Sequence, residues 1–288
     1  MIRLLIIPGG GVFGCIPAYF LKHVDVSKAD VYGGTSVGSQ LACMYARGMS
    51  GDTVFDHFTA LCPDIFHRSI WRRLTRFGIK RPLYSDKNLE GALRYLLDVP
   101  FMDLRPVFVP AYYWPLQKTK VFDSVDDMDD HLPAWEVVRA SSAAPYYFPP
   151  YKGFLDGGWW CNNPALATAV GVYRKMGIPF SEMKILVVGT GHRAVALTDS
   201  EIREMEGDME KWGALDLVGP VLDSITLSNE QGVSAYCESI GFGGYRIFDP
   251  FDIGDRTMVD AKEVPKILED CRRYKEDFLE VWKWFMED

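Results

Sequence analysis

Short apolar runs alternate with longer amphipathic stretches over roughly the first 190 residues of the chain. Arg3 to Ile7 is an apolar run that ends at a proline, which is typical of a buried strand in a mostly parallel sheet. Similar short runs occur at residues 29–32, 105–113, 119–122, 151–155 and 183–188. Helix-like stretches follow the first two runs, at residues 15–24 and 37–48. Strands that alternate with helices in this way predict an α/β fold.

The last third of the chain has a different pattern. Residues from about 198 to 288 are predicted to be mainly helical, with one further strand at Tyr245 to Phe248. The final stretch from Phe278 to Phe285 is rich in aromatic residues, and we expect it to dock on the core as a helix rather than to anchor the chain in a membrane. No linker or repeat separates this part from the rest, so residues 1–288 are expected to form a single domain.

A glycine-rich turn joins the first predicted strand to the first predicted helix. Its sequence is Gly9-Gly10-Gly11-Val12-Phe13-Gly14. Backbone N–H groups at such a turn form an anion site. The spacing matches a dinucleotide-binding fingerprint, but that fingerprint needs an acidic residue at the end of the second strand, and Asp30 comes near its start. We favour the alternative, an oxyanion hole for an ester carbonyl, over the nucleotide loop and over a purely structural turn.

A second turn of small residues follows the next predicted strand and contains Gly34-x-Ser36-x-Gly38. This is the spacing of a nucleophile elbow, in which a serine on a sharp strand-to-helix turn holds its hydroxyl clear of the backbone. The residues two before and two after the serine must be small because strand and helix pass close together there. Since the two turns follow adjacent strands, we expect them to meet at one edge of the sheet, with Ser36 as the candidate nucleophile.

A nucleophilic serine needs a base, and two side chains are candidates. Asp156 follows a short predicted strand and precedes two glycines, so it is well placed to face a cleft. An aspartate with its ordinary pKa of ~3.9 is a poor match for a serine hydroxyl, but burial among aromatic side chains raises that pKa. His192, which follows a glycine turn at a strand end, is the alternative base among the five histidines.

Composition narrows the range of functions. The net charge is −8 and no long run of like charges occurs, which argues against nucleic-acid binding. The six cysteines include no C-x-x-C pair, so neither a zinc site nor a disulfide framework is expected. No apolar run approaches the ~18 residues of a membrane span, and the apolar start of the chain is too short for a signal peptide. We therefore expect a cytoplasmic protein.

One segment has the composition of a peripheral membrane contact. Basic residues cluster around Trp71 and Phe77, at Arg68, Arg72, Arg73, Arg76, Lys80 and Arg81. Such a cluster suits the phosphate groups of lipids, although it is also typical of a solvated face. Any contact with a membrane is accordingly expected to be peripheral, and the pattern predicts no particular oligomeric state.

Four blocks occur together and in one order along the chain. They are the glycine loop at residues 9–17, the elbow at 34–39, the segment at 139–149 with Ala143-Ala144-Pro145, and Asp156-Gly157-Gly158 with Asn162-Asn163-Pro164. This ordered set resembles the patatin-like phospholipases over roughly residues 2–191, and it is specific where each motif alone is not. The resemblance implies a three-layer α/β/α fold with a mostly parallel central sheet.

The same resemblance implies a Ser–Asp dyad in place of a catalytic triad. Carried over by position, Ser36 is the nucleophile and Asp156 is its base. Backbone N–H groups of Gly10 and Gly11, with Gly9 as a further donor, form the oxyanion hole. No metal and no cofactor are implied.

Two positions depart from the family pattern. Pro8 stands where the family often has an acidic residue or a serine, and Phe13 stands where it usually has Arg or Lys. The predicted function is a lipid acyl hydrolase of the phospholipase A type, acting on a lipid or acyl-ester substrate. The loss of a cation at Phe13 keeps an esterase or thioesterase on soluble acyl substrates as an alternative. A non-catalytic lipid-binding protein on the same fold is a further alternative.

Overall fold

The computed structural model describes residues 1–66, 82–125, 129, 131–192, 203, 214–254, 256 and 260–287. For residues 214–223, 226, 227 and 230 the description is limited to the backbone. The basic cluster from Arg68 to Arg81, which the sequence proposes as a lipid-facing surface, lies outside the described residues.

In the described part of the chain, seven strands form one mixed sheet. They are β1 (Ile2–Ile7), β2 (Val31–Gly34), β3 (Val107–Tyr113), β4 (Lys118–Asp123), β5 (Phe154–Asp156), β6 (Met183–Val188) and β7 (Gly244–Phe248). The order across the sheet is β4-β3-β2-β1-β6-β7, and β5 also pairs with β3. Strands β1, β2, β3, β6 and β7 are parallel, whereas β4 and β5 run antiparallel to β3.

Helices cover both faces of this sheet. They are α1 (Cys15–Leu21), α2 (Val37–Ala46), α3 (Gly51–Ile65), α4 (Asp86–Leu97), α5 (Ala134–Ser141), α6 (Ala165–Met176), α7 (Ala214–Ser239), α8 (Val264–Cys271) and α9 (Lys275–Met286). The hydrophobic pattern did not predict α3. This helix is capped by the Ser50 hydroxyl, which accepts a hydrogen bond from the Thr53 N–H.

Strand β1 shows how the two faces are separated, because successive side chains of a strand point to opposite sides. Leu5 and Ile7 belong to a large core with helices α1 to α5, α8 and α9. Leu4 and Ile6 belong to a second core with α6 and α7. All four side chains are fully buried. The predicted α/β fold, a mostly parallel sheet between two helical layers, is confirmed.

The end of the described chain packs on the first core. Phe278 and Phe285 of α9 are fully buried, so the expectation that this helix docks on the core is confirmed. The Arg3 side chain of β1 donates hydrogen bonds to the carbonyl oxygens of Phe285 (3.1 Å) and Met286 (2.9 Å). These carbonyls lie in the last turn of α9, where a cation is favourable.

Strand β5 begins later than its sequence suggests. Residues 151–153 were predicted as part of the strand, but they form a tight turn in which Tyr151 and Phe154 exchange backbone hydrogen bonds of 3.0 and 2.8 Å. Lys152 and Gly153 both have positive φ, 48° and 84°, as such a turn requires. The strand itself is short and ends at Asp156.

Candidate active site

The glycine loop and the elbow meet at the carboxyl edge of the sheet. Strands β1 and β2 are parallel and in register, with Ile7 opposite Gly34, so the segments that follow them start side by side. A Cβ on Gly9 would lie 3.3 Å from the Cβ of Ser36. The sequence-based expectation that the two turns come together at one sheet edge is therefore met.

Ser36 has a strained backbone, as an elbow requires. Its φ is 53° and its ψ is −121°, a conformation that costs a non-glycine residue on the order of 1–3 kcal/mol. The flanking glycines allow the close approach of strand and helix. A Cβ on Gly34 would lie 2.2 Å from the carbonyl oxygen of Gly38, and a Cβ on Gly38 would lie 2.0 Å from that of Ile7. The turn thus holds the Ser36 side chain at the start of α2, clear of its own backbone.

Asp156 reaches the same place from the opposite direction. Strand β2 pairs with residues 107–108 of β3, while β5 pairs with residues 111–113. Because β4 occupies the other edge of β3 throughout, β2 and β5 must share one edge. Strand β5 runs antiparallel, so its carboxyl end points toward the carboxyl end of β2. Gly157 confirms the approach, since a Cβ there would lie 3.0 Å from the Thr35 methyl group.

The Asp156 carboxyl is buried and only partly satisfied. Its Oδ1 accepts a hydrogen bond from the Gly158 N–H at 2.7 Å. Its Oδ2 is buried and makes no hydrogen bond within the part of the chain that the structure describes. Burial raises the pKa of this carboxyl to about 6, against the smaller lowering effects of the Gly158 N–H and of the nearby Ser36 hydroxyl. The group is therefore a stronger base than an exposed aspartate, and it lies beside Ser36.

The end of α5 supports both residues. The Ser141 hydroxyl accepts a hydrogen bond from the Ser36 N–H at 3.0 Å. Two residues further on, the Ala143 carbonyl accepts one from the Asp156 N–H at 3.0 Å. One helix end thus fixes the backbones of Ser36 and Asp156 relative to each other. This segment is among the four ordered blocks of the sequence, but the sequence does not indicate the role of Ser141.

The glycine loop is tied down by its first residue. The Gly9 N–H donates to the Asn162 carbonyl at 3.3 Å, and the Gly9 carbonyl accepts from the Thr190 hydroxyl at 2.8 Å. Gly11 has a φ of 58°, which favours glycine. The amides of Gly10 and Gly11 donate no hydrogen bond to the residues that the structure describes. Of the three predicted donors, these two are the ones whose N–H groups are not already engaged.

A neighbouring asparagine, which the sequence analysis did not single out, holds the segment after Asp156. The Asn229 side chain of α7 accepts a hydrogen bond from the Asn162 N–H at 2.8 Å and donates one to the Trp160 carbonyl at 2.5 Å. The Thr35 hydroxyl donates to the Cys161 carbonyl at 2.7 Å. These contacts connect the elbow, the glycine loop and the segment at residues 157–163 into one network.

His192, the alternative base, has other partners. Its ring Nδ1 lies 4.0 Å from an Asp249 carboxylate oxygen. Its backbone pairs with the segment after β7, donating to the Phe251 carbonyl and accepting from the Ile253 N–H. The structure thus associates His192 with the β7 side of the sheet and associates Asp156 with Ser36.

Two further residues bear on what the glycine loop binds. Phe13 is 3% exposed and packs within the first core, so its side chain does not line a cleft. Asp30 accepts a hydrogen bond from the Arg3 N–H at the start of β1 (2.8 Å), at the opposite end of the strand from the glycine loop. An acidic residue in that position cannot bind a ribose held at the glycine loop, which disfavours a dinucleotide site.

Within the described ranges, no group of three or more His, Cys, Asp or Glu side chains is arranged to hold a metal ion. None of the helices among the described residues is both long and apolar enough to span a membrane.

Comparison with known proteins places the chain in a family. The model of the patatin-like phospholipase family matches residues 5–169, more than half of the chain. The chain therefore belongs to the patatin-like phospholipase family, as its ordered motifs suggest. Its mixed, mostly parallel sheet flanked by helices agrees with that assignment.

Individual relatives share only a modest fraction of identical residues with this chain. A cGAMP-activated phospholipase from Vibrio cholerae is 28% identical over 250 residues, which cover 74% of this chain and 70% of that protein. An 85/88 kDa calcium-independent phospholipase A2 from Rattus norvegicus is 30% identical over 314 residues, covering 90% of this chain and 36% of that protein. The crystal structure of VipD from Legionella pneumophila covers 97% of this chain and 67% of its own, with 14% identity and a TM-score of 0.49.

Proposed function

We propose that this protein is a lipid acyl hydrolase of the phospholipase A type, which cleaves fatty-acyl esters through a Ser36–Asp156 dyad. Membership of the patatin-like phospholipase family and relatives named as phospholipases support lipid hydrolysis in general. The observation that carries the dyad is the strained Ser36 beside a buried carboxyl whose pKa burial raises to about 6.

In the first step, the Ser36 hydroxyl oxygen attacks the ester carbonyl carbon and Asp156 accepts the hydroxyl proton. Oδ1 of Asp156 is held by the Gly158 N–H, which leaves Oδ2 as the oxygen that takes the proton. A carboxylate with a pKa near 6 is about a hundredfold more basic than one at its ordinary value. It remains mostly ionised at pH 7, so it is ready to act as a general base.

Negative charge develops on the carbonyl oxygen as this bond forms. The free amides of Gly10 and Gly11 are the donors that we assign to this oxyanion. The Gly9 N–H already donates to the Asn162 carbonyl, so Gly9 contributes by holding the loop in position. Donors fixed in place before the reaction need no reorganisation, and losing one typically slows acyl transfer by ~10²–10³-fold.

Collapse of the tetrahedral intermediate breaks the ester C–O bond and leaves an acyl group on Ser36. The departing alcohol oxygen takes back the proton from Asp156. Water then attacks the acyl-enzyme, again with Asp156 as the proton acceptor. The free fatty acid leaves and the proton returns to the Ser36 oxygen, so each group ends as it began.

Release of fatty acid from phospholipid micelles tests this proposal. We expect Ser36→Ala and Asp156→Asn each to lower kcat by at least about a thousandfold, because each removes a group that acts in the chemical step. Ser27→Ala, at an exposed serine next to Asp25, serves as the control and should retain full activity.

A fluorophosphonate probe provides an independent measurement. The probe should label Ser36 in the wild-type protein and leave Ser36→Ala unlabelled. Full activity in Ser36→Ala would overturn the proposal. Absence of labelling at Ser36 in a folded protein would instead favour the non-catalytic lipid-binding alternative.

Hydrolysis of soluble acyl esters or thioesters is a second candidate function. It is favoured by Phe13, which is buried in the core at the position where the family usually has a cation. The test compares kcat/KM on micellar phospholipid with kcat/KM on short p-nitrophenyl esters or thioesters, each kept below its aggregation limit. A kcat/KM at least about tenfold higher on micelles supports the phospholipase, and the reverse order supports the soluble-substrate enzyme.

A further inference from the structure

The hairpin that joins β3 to β4 ends in an unusual sequence. Its tip, Trp114 to Gln117, includes a short helical turn with Trp114, Pro115 and Leu116. Tips of hairpins normally carry Asn, Asp or Gly, because those residues adopt the necessary backbone conformations and are easily hydrated. Here Gln117 takes the left-handed conformation, with a φ of 52°, and large apolar side chains precede it.

These apolar side chains face solvent. Trp114 is 52% exposed and Leu116 is 63% exposed. All six residues from Trp114 to Thr119 are exposed. Isolated exposed apolar residues are ordinary, but a Trp and a Leu together on a protruding turn form a patch that suits a partner.

A second turn lies against the tip and widens it. The Trp114 N–H donates to the Gly153 carbonyl at 3.0 Å, within the tight turn at residues 151–154 that precedes β5. A Cβ on Gly153 would lie 3.0 Å from the Pro115 ring, so the two turns are in direct contact. Together they form one protruding surface, which we call the double tip and define as Trp114 to Lys118 with Lys152 and Gly153.

The double tip combines apolar and cationic groups. Lys118 follows the tip and is exposed, and Lys152 is 61% exposed while its ammonium pairs with Glu136 at 2.6 Å. The acidic end of the hairpin is remote, because Asp123 lies at the other end of β4, opposite Phe108. The Lys152 charge is thus balanced by Glu136, and Lys118 is the exposed cation beside Trp114 and Leu116. Such a set suits an anionic membrane surface, because indole and aliphatic groups enter the interface and the cation attracts phosphate.

The double tip lies beyond the candidate active site on the same side of the sheet. Strand β3 is parallel to β1 and β2, so its carboxyl end points the same way as theirs. Asp156 stands opposite Ala111, and Trp114 is three residues further along. At ~3.3 Å per residue, the tip projects about 10 Å past the level of Asp156. A surface that touches the tip would face the edge at which Ser36 lies.

We propose that the double tip is a membrane-docking surface, which inserts Trp114 and Leu116 into the interface of an anionic phospholipid bilayer. The inference rests on the proposed function in one respect, since it names the lipid surface from which the acyl ester is drawn. Lys118 supplies the electrostatic attraction, since the Lys152 ammonium is paired with Glu136. Docking in this way turns the carboxyl edge of the sheet toward the bilayer.

Binding to vesicles tests the docking surface separately from catalysis. The measurement is co-sedimentation of the Ser36→Ala protein, which cannot consume its substrate, with vesicles of equimolar phosphatidylcholine and phosphatidylglycerol. In this background we expect Trp114→Ser with Leu116→Ser to weaken partitioning about tenfold. We expect Lys118→Gln to weaken it about fivefold on these vesicles, with no effect on pure phosphatidylcholine.

The matched control changes equally exposed aromatic residues elsewhere. Tyr173 and Tyr236 are 52% and 66% exposed and lie on α6 and α7, the helices of the second core. Tyr173→Ser with Tyr236→Ser should leave partitioning unchanged. Equal partitioning of the tip variant and its parent would overturn the proposal, as would an equal loss in the control.

A site-specific label provides a second readout that does not depend on a loss. All six native cysteines are buried, so a cysteine at Leu116→Cys can be labelled selectively with an environment-sensitive fluorophore. Its emission should shift to the blue on addition of vesicles. An unshifted spectrum with vesicle-bound protein would mean that another surface docks.

Two activity measurements separate this inference from the proposed function. The tip variant with Ser36 intact should hydrolyse a soluble p-nitrophenyl ester at the wild-type rate and vesicle phospholipid about tenfold more slowly. If Ser36→Ala proves to be fully active, the dyad fails while the binding results still stand. If the tip variant loses both activities in a folded protein, the docking role fails while the dyad stands.

Discussion

In the dyad that we propose, a single carboxylate takes the place of the histidine of a triad, and the surroundings of Asp156 suit that role. Two interactions, the Gly158 N–H and the Ser36 hydroxyl, favour the charged form of Asp156, but burial outweighs both. The resulting pKa of about 6 lies in the range where histidine normally acts. At the residue scale, the position of the carboxyl at the buried end of β5 therefore sets its basicity.

If Asp156 is the base, as we propose, the pH dependence of hydrolysis follows from this pKa. The base must be unprotonated, so kcat/KM on a soluble acyl ester should rise about tenfold per pH unit below pH 6 and level off above it. A profile measured from pH 4 to 8 checks this, with residual folding at each pH followed by circular dichroism. A rise in kcat/KM centred near pH 4, or a kcat/KM that does not change through pH 6, would contradict Asp156 as the base.

The residues of the site differ in how visible they are in the sequence. Ser36 and Asp156 stand out because they sit in local glycine patterns with a steric meaning. Ser141 does not, because its contact with the Ser36 N–H spans 105 residues and depends on how α5 packs. Asn229 is similar, since it lies 67 positions after Asn162. Contacts between distant segments depend on the fold, and no local pattern encodes them.

At the scale of elements, the short length of β2 decides where Asp156 can lie. The strand ends at Gly34, which leaves the next part of the β3 edge free for β5. The sequence predicted a strand before Asp156 but not its direction, and a three-residue strand carries too little pattern to indicate one. Helix α3 was missed for a related reason, because it starts at Gly51 and contains Pro63, two residues that disfavour helices.

The close approach of β1 and α2 predicts a sharp difference between two glycines. Gly38→Ala would place a methyl group 2.0 Å from the Ile7 carbonyl and should cost about 3 kcal/mol or more in unfolding free energy. Gly91 is exposed on α4 with nothing within 4 Å of its Cβ position, so Gly91→Ala should stabilise by about 0.5–1 kcal/mol. Denaturant unfolding measures both, and equal effects would contradict the packing described for the elbow.

For the whole molecule, the buried carboxyl couples stability to pH. The folded-state pKa of Asp156, about 6, lies above the ordinary value of 3.8 that applies in the unfolded chain. Between these values the folded state holds a proton that the unfolded state has lost. The contribution of Asp156 to stability therefore declines as pH rises from about 4 to 6 and then stays constant.

Asp156→Asn removes this penalty. At pH 7.5 the variant should exceed the wild type by about 1 to 3 kcal/mol in unfolding free energy, and the gap should close toward pH 4. Urea titrations across this range measure the difference. Ser36→Ala keeps the carboxyl and should keep the wild-type dependence on pH. A gap that does not vary with pH would show that the effect has another origin.

The bond between Arg3 and the carbonyl of Phe285 joins residues 282 apart. A growing chain cannot make this contact before residue 285 has left the ribosome. Until then Phe20 and Phe248 lack the ring of Phe278, which packs 5.3 and 5.1 Å from theirs in the finished protein. The elbow, the glycine loop and Asp156 are all synthesised earlier. During synthesis, the residues of the candidate site thus exist for a time on a chain whose apolar core is incomplete and available to chaperones.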